Sequence, residues 1–141
     1  MVNNLRDQLI RDEGDVPYAY QDSLGYWTIG VGFLIDRRKG GRLPDAVRDF
    51  WLDYEITEKR KELERRIPWI TTLDQARQDC LLNMTFNLGV EGLLSFKNTL
   101  SLVQSGQYEK ASVEMLKSRW ATQVGNRAKR LSEQMRTGKY V

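Results

Sequence analysis

The chain has 141 residues, with 40% hydrophobic and 29% charged side chains and a net charge of +3. This is the size and balance of one ordinary globular domain, or of two small lobes sharing a helix, and not of a disordered chain. No apolar run approaches the roughly 18 residues that span a bilayer. With no histidine and only Cys80, an internal disulfide, a zinc centre and a Ser-His-Asp triad are all excluded or unsupported, and carboxylates are the obvious proton carriers.

In chain order, Asn3 or Asn4 is suited to cap a first helix with Leu5, Leu9 and Ile10 on its apolar side. Gly14 suits a left-handed residue at its end, and Pro17 forbids continuation. Tyr18 and Tyr20 then alternate with small or polar residues, a period of two. Asp22-Ser23-Leu24-Gly25 has the chemistry of a short hairpin turn. Tyr26, Thr28 and the stretch 29–34 supply a second strand and room for a third, with Gly30 and Gly32 marking a bend or close backbone approach. A polar loop is expected over 36–42.

Pro44 opens a helical pattern that lasts until Pro68. Its first half sets Val47, Phe50, Trp51 and Tyr54 on one side; its second half is polar nearly all round, as in a helix bridging two lobes. Thr72 and Gln75 form a capping-box pattern ahead of a buried-looking helix that stops at Gly89. Further helices are expected at about 98–105, 108–119 and 126–136. The architecture read from this order is α+β: a small N-terminal lobe with a hairpin sheet, then a long helix, then an all-helical lobe. As a single domain its lobes are 1–43 with the linking helix 44–67, and 68–141. Clefts between lobes are common ligand sites.

Glu13 falls in the last turn of the first helix, where the helix dipole disfavours its ionised form. A carboxyl held protonated is what a general acid requires. Asp22, in a polar turn, is expected to stay ionised. Thr28 follows on the returning strand, where its hydroxyl can help hold a water. Two carboxyls driven apart in pKa are the minimum apparatus for breaking a glycosidic bond. Taken singly, each of these residues also suits an ordinary solvated or strand position.

The stretch EGDVPYAYQDSLGYWTIGVGFL, from Glu13 to Leu34, resembles the catalytic segment of phage-type lysozymes (endolysins), glycoside hydrolase family 24. Glu13, Asp22 and Thr28 match its acid, acid and hydroxyl at the family spacing. NMTFNLG, SFKNTL, LKSRWATQVGNRAKR and RTG resemble the family's C-terminal lobe in the same order.

The resemblance implies hydrolysis of the β-1,4 bond between N-acetylmuramic acid and N-acetylglucosamine in peptidoglycan, without metal or cofactor. It implies that Glu13 donates the proton while Asp22 and Thr28 position or activate the attacking water. It implies substrate contacts at Leu34, Phe86, Thr99 and Glu114, and supporting roles for Arg127, Trp120 and Asn87, with Arg127 paired to the catalytic glutamate. On residue type alone, Phe86 and Trp120 read as core packing and Arg127 as a solvated charge. Three departures stand out. Phe33 replaces a histidine, so less pH dependence is expected there. Glu114 replaces an asparagine, setting a like charge toward stem-peptide carboxylates. The stretch between Leu34 and Pro44 is short.

Nothing in the chain forces Asp22 against Glu13, so a water between them and inversion of configuration are expected. A lytic transglycosylase, or an inactive cell-wall or nucleic-acid binding module on the same fold, is the alternative; the intact Glu13, Asp22 and Thr28 argue against both. From Lys117 onward seven cations stand against Glu133 alone, which suits either a solvated helix face or an anionic partner: nucleic acid, teichoic or lipid phosphates, or peptidoglycan stem-peptide carboxylates. No specific nucleic acid and no membrane insertion are expected. No apolar stripe stands out in the sequence, so a monomer is expected. The N-terminus shows no signal peptide. Synthesis in a bacterial host's cytoplasm is therefore expected, with release to the periplasm dependent on a holin-type membrane protein and lysis at the end of a phage cycle.

Overall fold

The computed structural model describes residues 4–21, 24, 27–30, 33–34 and 43–141. Two compact units divide the chain, Met1–Asp53 and Tyr54–Val141.

The first unit opens with helix α1, Leu5–Glu13. Asn4 caps it, its side chain accepting from the Asp7 amide at 2.9 Å. Gly14 ends it with its N–H on the Ile10 carbonyl. The expected left-handed geometry is only half met: φ is 82° but ψ is 167°. That region is essentially closed to any residue with a Cβ, so the demand for glycine is stronger than a left-handed cap would make it.

Three antiparallel strands follow in the order β1 (Val16–Gln21), β2 (Trp27–Gly30) and β3 (Phe33–Leu34). The β1–β2 register shifts between Val16 and Tyr20. That stretch contains Pro17, whose nitrogen cannot donate to a ladder. Gln21 opposite Trp27 closes the hairpin. Its expected turn residues 22, 23 and 25, Tyr26, Gly32 and the expected loop 36–42 lie outside the described residues.

Helix α2 spans Asp45–Arg66, with the Pro44 carbonyl accepting from the Arg48 amide. Val47, Phe50, Trp51 and Tyr54 are all exposed, Phe50 at 75%. The sequence expectation of no exposed apolar stripe therefore does not hold on this helix: periodicity aligned these side chains but did not bury them.

Among the described residues, the buried hydrophobic cluster lies in the second unit. A 3₁₀ turn, Pro68–Thr72, leads into α3 (Gln75–Leu94). The cap is Asp74, which accepts from the Arg77 amide, and not Thr72. The Thr72 hydroxyl is already engaged, donating to the Trp69 carbonyl. The helix breaks at Gly89 (φ 69°, ψ 167°), where an end was expected, but a further run carries on to Leu94. Then come α4 (Lys97–Gln104), α5 (Tyr108–Leu116), α6 (Arg119–Val124) and α7 (Asn126–Thr137). The helix expected over 108–119 ends at Leu116, and α6, from Arg119 to Val124, was not expected. Ser118 interrupts the helical pattern, its hydroxyl accepting from the Ala121 amide to start α6.

Cys80, Leu81, Met84, Leu93, Val103, Met115 and Met135 are fully enclosed. Cys80 donates to the Leu131 carbonyl at 3.2 Å, and burial pushes its thiol up to about 12. It is a core residue that stays protonated, with no reactive role.

The C-terminal residues are tied down at two points. Arg77 donates to the carbonyls of Met135 and Arg136, stacks 3.7 Å from the Tyr108 ring and pairs with Asp74. Asp79 accepts from Arg60, Gln75 and the Tyr140 hydroxyl. Burial alone would raise the Asp79 carboxyl, but these donors from Tyr140, Arg60 and Gln75 outweigh it and hold it below its ordinary value of 3.8. A depressed carboxyl stabilises the fold above its unfolded pKa and loses that contribution as pH falls through the folded value. Below about pH 4, the melting temperature of the wild type should therefore fall more steeply than that of Asp79→Asn. Parallel acid limbs in the two proteins would show that this cluster does not govern the acid response.

Candidate active site

The residues expected to act divide between the two units. Glu13, Thr28 and Leu34 are in the first, with Asp22 outside the described residues. Phe86, Asn87, Thr99, Glu114, Trp120 and Arg127 are in the second.

In the first unit, Glu13 is the final residue of α1, immediately before the backbone reversal at Gly14. The negative end of the helix dipole lies there, as expected. β1 ends at Gln21, one residue before Asp22. Thr28 is only 3% exposed and sits in the middle strand, opposite Tyr20 on one side and Leu34 on the other. The sheet register thus brings two of the expected site residues, Thr28 and Leu34, into direct cross-strand pairing. A residue on the central strand of a three-stranded sheet has neighbours on both sides, which fixes its backbone.

In the second unit, α3 presents Asn83, Phe86 and Asn87 at helical spacing, and all three are exposed. Phe86 is 40% exposed and lies under the Lys59 ammonium at 4.9 Å. Core packing is therefore not its role. Trp120 is the opposite case: 3% exposed, edge-on to Phe96, with its indole N–H directed at the Asn87 side-chain oxygen at 3.5 Å. It packs in the core and meets Asn87 at its polar tip.

Arg127 is not a merely solvated charge. Its guanidinium donates to the Asn83 side-chain oxygen at 3.1 and 2.7 Å and to the Asn83 carbonyl at 3.2 Å. Sequence reading missed Asn83 as a partner, although it is the first residue of the NMTFNLG stretch. An exposed asparagine at helical spacing from Phe86 and Asn87 was the available signal.

Thr99 and Glu114, fifteen positions apart in sequence, line one groove of about 290 Å³. Ser95, Phe96, Lys97, Asn98, Lys117 and Ser118 complete its wall. Glu114 pairs with Lys117 at 3.0 Å. The groove therefore holds two ammonium groups, of Lys97 and Lys117, against the one carboxylate of Glu114. Elsewhere in the basic C-terminal segment Arg119, Lys129 and Arg130 are exposed and form no ion pair among the described residues, whereas Arg136 is engaged with Glu133.

The chain is 28% identical to probable T4-type lysozyme 1 of Dictyostelium discoideum over 165 residues, covering 98% of this chain and 96% of that one. It is equally similar to probable T4-type lysozyme 2 of the same organism, with the same coverage. It is 28% identical to the pre-baseplate central spike protein Gp5 of Enterobacteria phage T4, covering 96% of this chain and 28% of that longer protein. The family model described as phage lysozyme matches residues 11–137, and the chain belongs to the phage lysozyme family.

Proposed function

We propose that this protein is a lysozyme that cleaves the β-1,4 bond between N-acetylmuramic acid and N-acetylglucosamine in bacterial peptidoglycan, acting as an endolysin in host lysis. The observation that carries this reading is the family match over residues 11–137 together with retention of Glu13, Asp22 and Thr28 at the family spacing. Glu13, at the negative end of α1, protonates the leaving oxygen. Asp22 activates a water, and Thr28 orients it from a buried position on the central strand. Leu34, Phe86, Thr99 and Glu114 contact the polymer, and Arg127, braced by Asn83, with Trp120 and Asn87 supports the site. The cations Arg119, Lys129 and Arg130, which form no ion pair among the described residues, favour approach to an anionic wall.

The stereochemical outcome separates two chemistries. Direct attack by Asp22 would form a covalent glycosyl intermediate and retain configuration, which requires carboxyls about 5–5.5 Å apart. A water between the carboxyls requires roughly 6.5–9.5 Å and inverts. A neutral hydroxyl at Thr28 has no use in direct attack and an evident one beside a water, so inversion is the reading. NMR of the first-formed anomer from a β-linked muropeptide polymer tests it. An initial α-anomer is expected. An initial β-anomer, or a glycosyl adduct on Asp22, overturns the water mechanism. An anhydro-sugar product would make the enzyme a lytic transglycosylase instead.

A further inference from the structure

Phe86 is the large apolar side chain that α3 leaves in the open. Leu81, Leu82, Met84 and Leu93 of the same helix are buried, while Phe86 is 40% exposed and is neither in the buried hydrophobic cluster nor packed against it. An exposed ring on a helix surface ordinarily samples several rotamers, and a ligand that uses it must first fix it, at an entropic cost. Here one face of the ring is already occupied. The Lys59 ammonium of α2 lies 4.9 Å from its centroid, within the range of a cation–π contact. Both residues belong to the unit Tyr54–Val141.

The cation is itself held. Its Nζ donates to Glu55 Oε2 at 2.5 Å, one helical turn back, with the acid N-terminal to the base, the more favourable order for such a pair. The Lys59 side chain is 26% exposed, against 69% for Lys61 two positions on, whose ammonium reaches Glu58 only at 3.4 Å. Lys61 is in an ordinary solvated surface pair. Lys59 is a fixed charge laid on a ring.

The surroundings of the ring name its ligand. Asn83 and Asn87 share the exposed side of α3 with Phe86, and their side-chain oxygens are engaged by Arg127 and by the Trp120 indole. The N–H ends are what the two amides can offer a ligand. An aromatic face bordered by amide donors suits an acetamido sugar, which has an apolar C–H face and carbonyl oxygens.

We propose that Lys59 is a positioning residue that holds the Phe86 ring in one orientation, to stack on the apolar face of an acetamido sugar. The inference rests on the wall-hydrolase reading, in which Phe86 contacts the polymer. It adds a residue that acts through Phe86 and does not itself touch the sugar. Such a residue lowers the cost of binding, so it acts on affinity and KM more than on kcat.

The test measures affinity for soluble glycan strands of alternating N-acetylglucosamine and N-acetylmuramic acid, on the full chain carrying Glu13→Gln so that the strand stays whole. Lys59→Met keeps the apolar stem and loses the charge. It should weaken binding about two- to fivefold, the worth of an exposed cation–π contact. Lys59→Arg should restore the parent affinity, since a guanidinium also lies over an aromatic face. In a Phe86→Leu background, Lys59→Met should cost nothing further, because the ring through which it acts is gone. With Glu13 intact, Lys59→Met should raise KM by the same factor and change kcat less. Thermal unfolding checks that each variant is folded. Unchanged affinity in Lys59→Met overturns the proposal. So does an equal loss in the Phe86→Leu background, which would make Lys59 itself the sugar contact, or a Lys59→Arg protein as weak as Lys59→Met. Turnover of the strands by the wild type, run in parallel, separates the two readings. Strands cut by a protein whose affinity is indifferent to Lys59 refute only the positioning role. Strands bound with the expected dependence on Lys59 but left whole by the wild type refute only the hydrolase.

Discussion

Glu13→Gln should lower the rate of wall hydrolysis by roughly two to four orders of magnitude, the span a positioned general acid contributes. Glutamine keeps the volume and the hydrogen-bonding shape but has no proton to give to the departing sugar oxygen. The fold should not notice. Glu13 is the last residue of α1, and the helix is terminated by Asn4 at one end and by the Gly14 backbone at the other, neither of which depends on the Glu13 carboxyl. The melting temperature should therefore stay close to wild type while turnover collapses. The measurement is release of soluble muropeptides from purified walls, with thermal unfolding as the control. A folded Glu13→Gln protein that cuts walls at near wild-type rate would remove Glu13 from the mechanism. Loss of activity together with loss of folding would show that its role is structural.

Leu93→Ala should be the most damaging of the simple stability changes, at about 2–5 kcal/mol for a fully buried leucine. Leu93 is wholly enclosed and lies in the same buried cluster as Leu100, Val103 and Met115. It also sits past the break at Gly89, in the short run that leads to the Ser95 and Phe96 turn and on to α4. Truncation removes the apolar contact that holds this run, and the walls of a well-packed core refill such a space only in part. At this chain length the loss corresponds to a fall of about 10 °C in melting temperature. Val113→Ala, on the exposed face of α5, should change stability by less than about 0.5 kcal/mol. Thermal unfolding of the two variants side by side decides the matter. Equal effects would show that burial at Leu93 does not govern the stability of the second unit.

Much of the local structure was legible in the residues themselves. Asn4 caps and Gly14 ends the first helix because short-range hydrogen bonds and φ preferences are written within four residues. The alternation around Tyr18 and Tyr20 marked β1, and Pro44 and Pro68 bracketed α2, by the same local rules. The candidate acids Glu13 and Asp22 and the hydroxyl of Thr28 stand out by the resemblance of their segment to the phage-lysozyme catalytic stretch; residue type and spacing alone left each as an ordinary solvated or strand position.

Competition between equally plausible local partners was not legible. Thr72 has the capping-box pattern, but its hydroxyl is engaged by Trp69 and Asp74 takes the cap. Ser118 divides a continuous helical pattern because its hydroxyl caps α6, and nothing in the periodicity distinguishes that serine from one on a helix surface. Long-range partners leave no periodic signal at all. Asn83 holding Arg127 across 44 positions, Lys59 lying over an exposed Phe86, and Thr99 and Glu114 meeting in one groove are decided by how helices pack. The type and spacing of residues determined which groups can do chemistry and where helices and strands begin. Only the tertiary structure decided which side chains are buried, which charges are neutralised and which are left to meet a ligand, because those outcomes depend on neighbours distant in sequence.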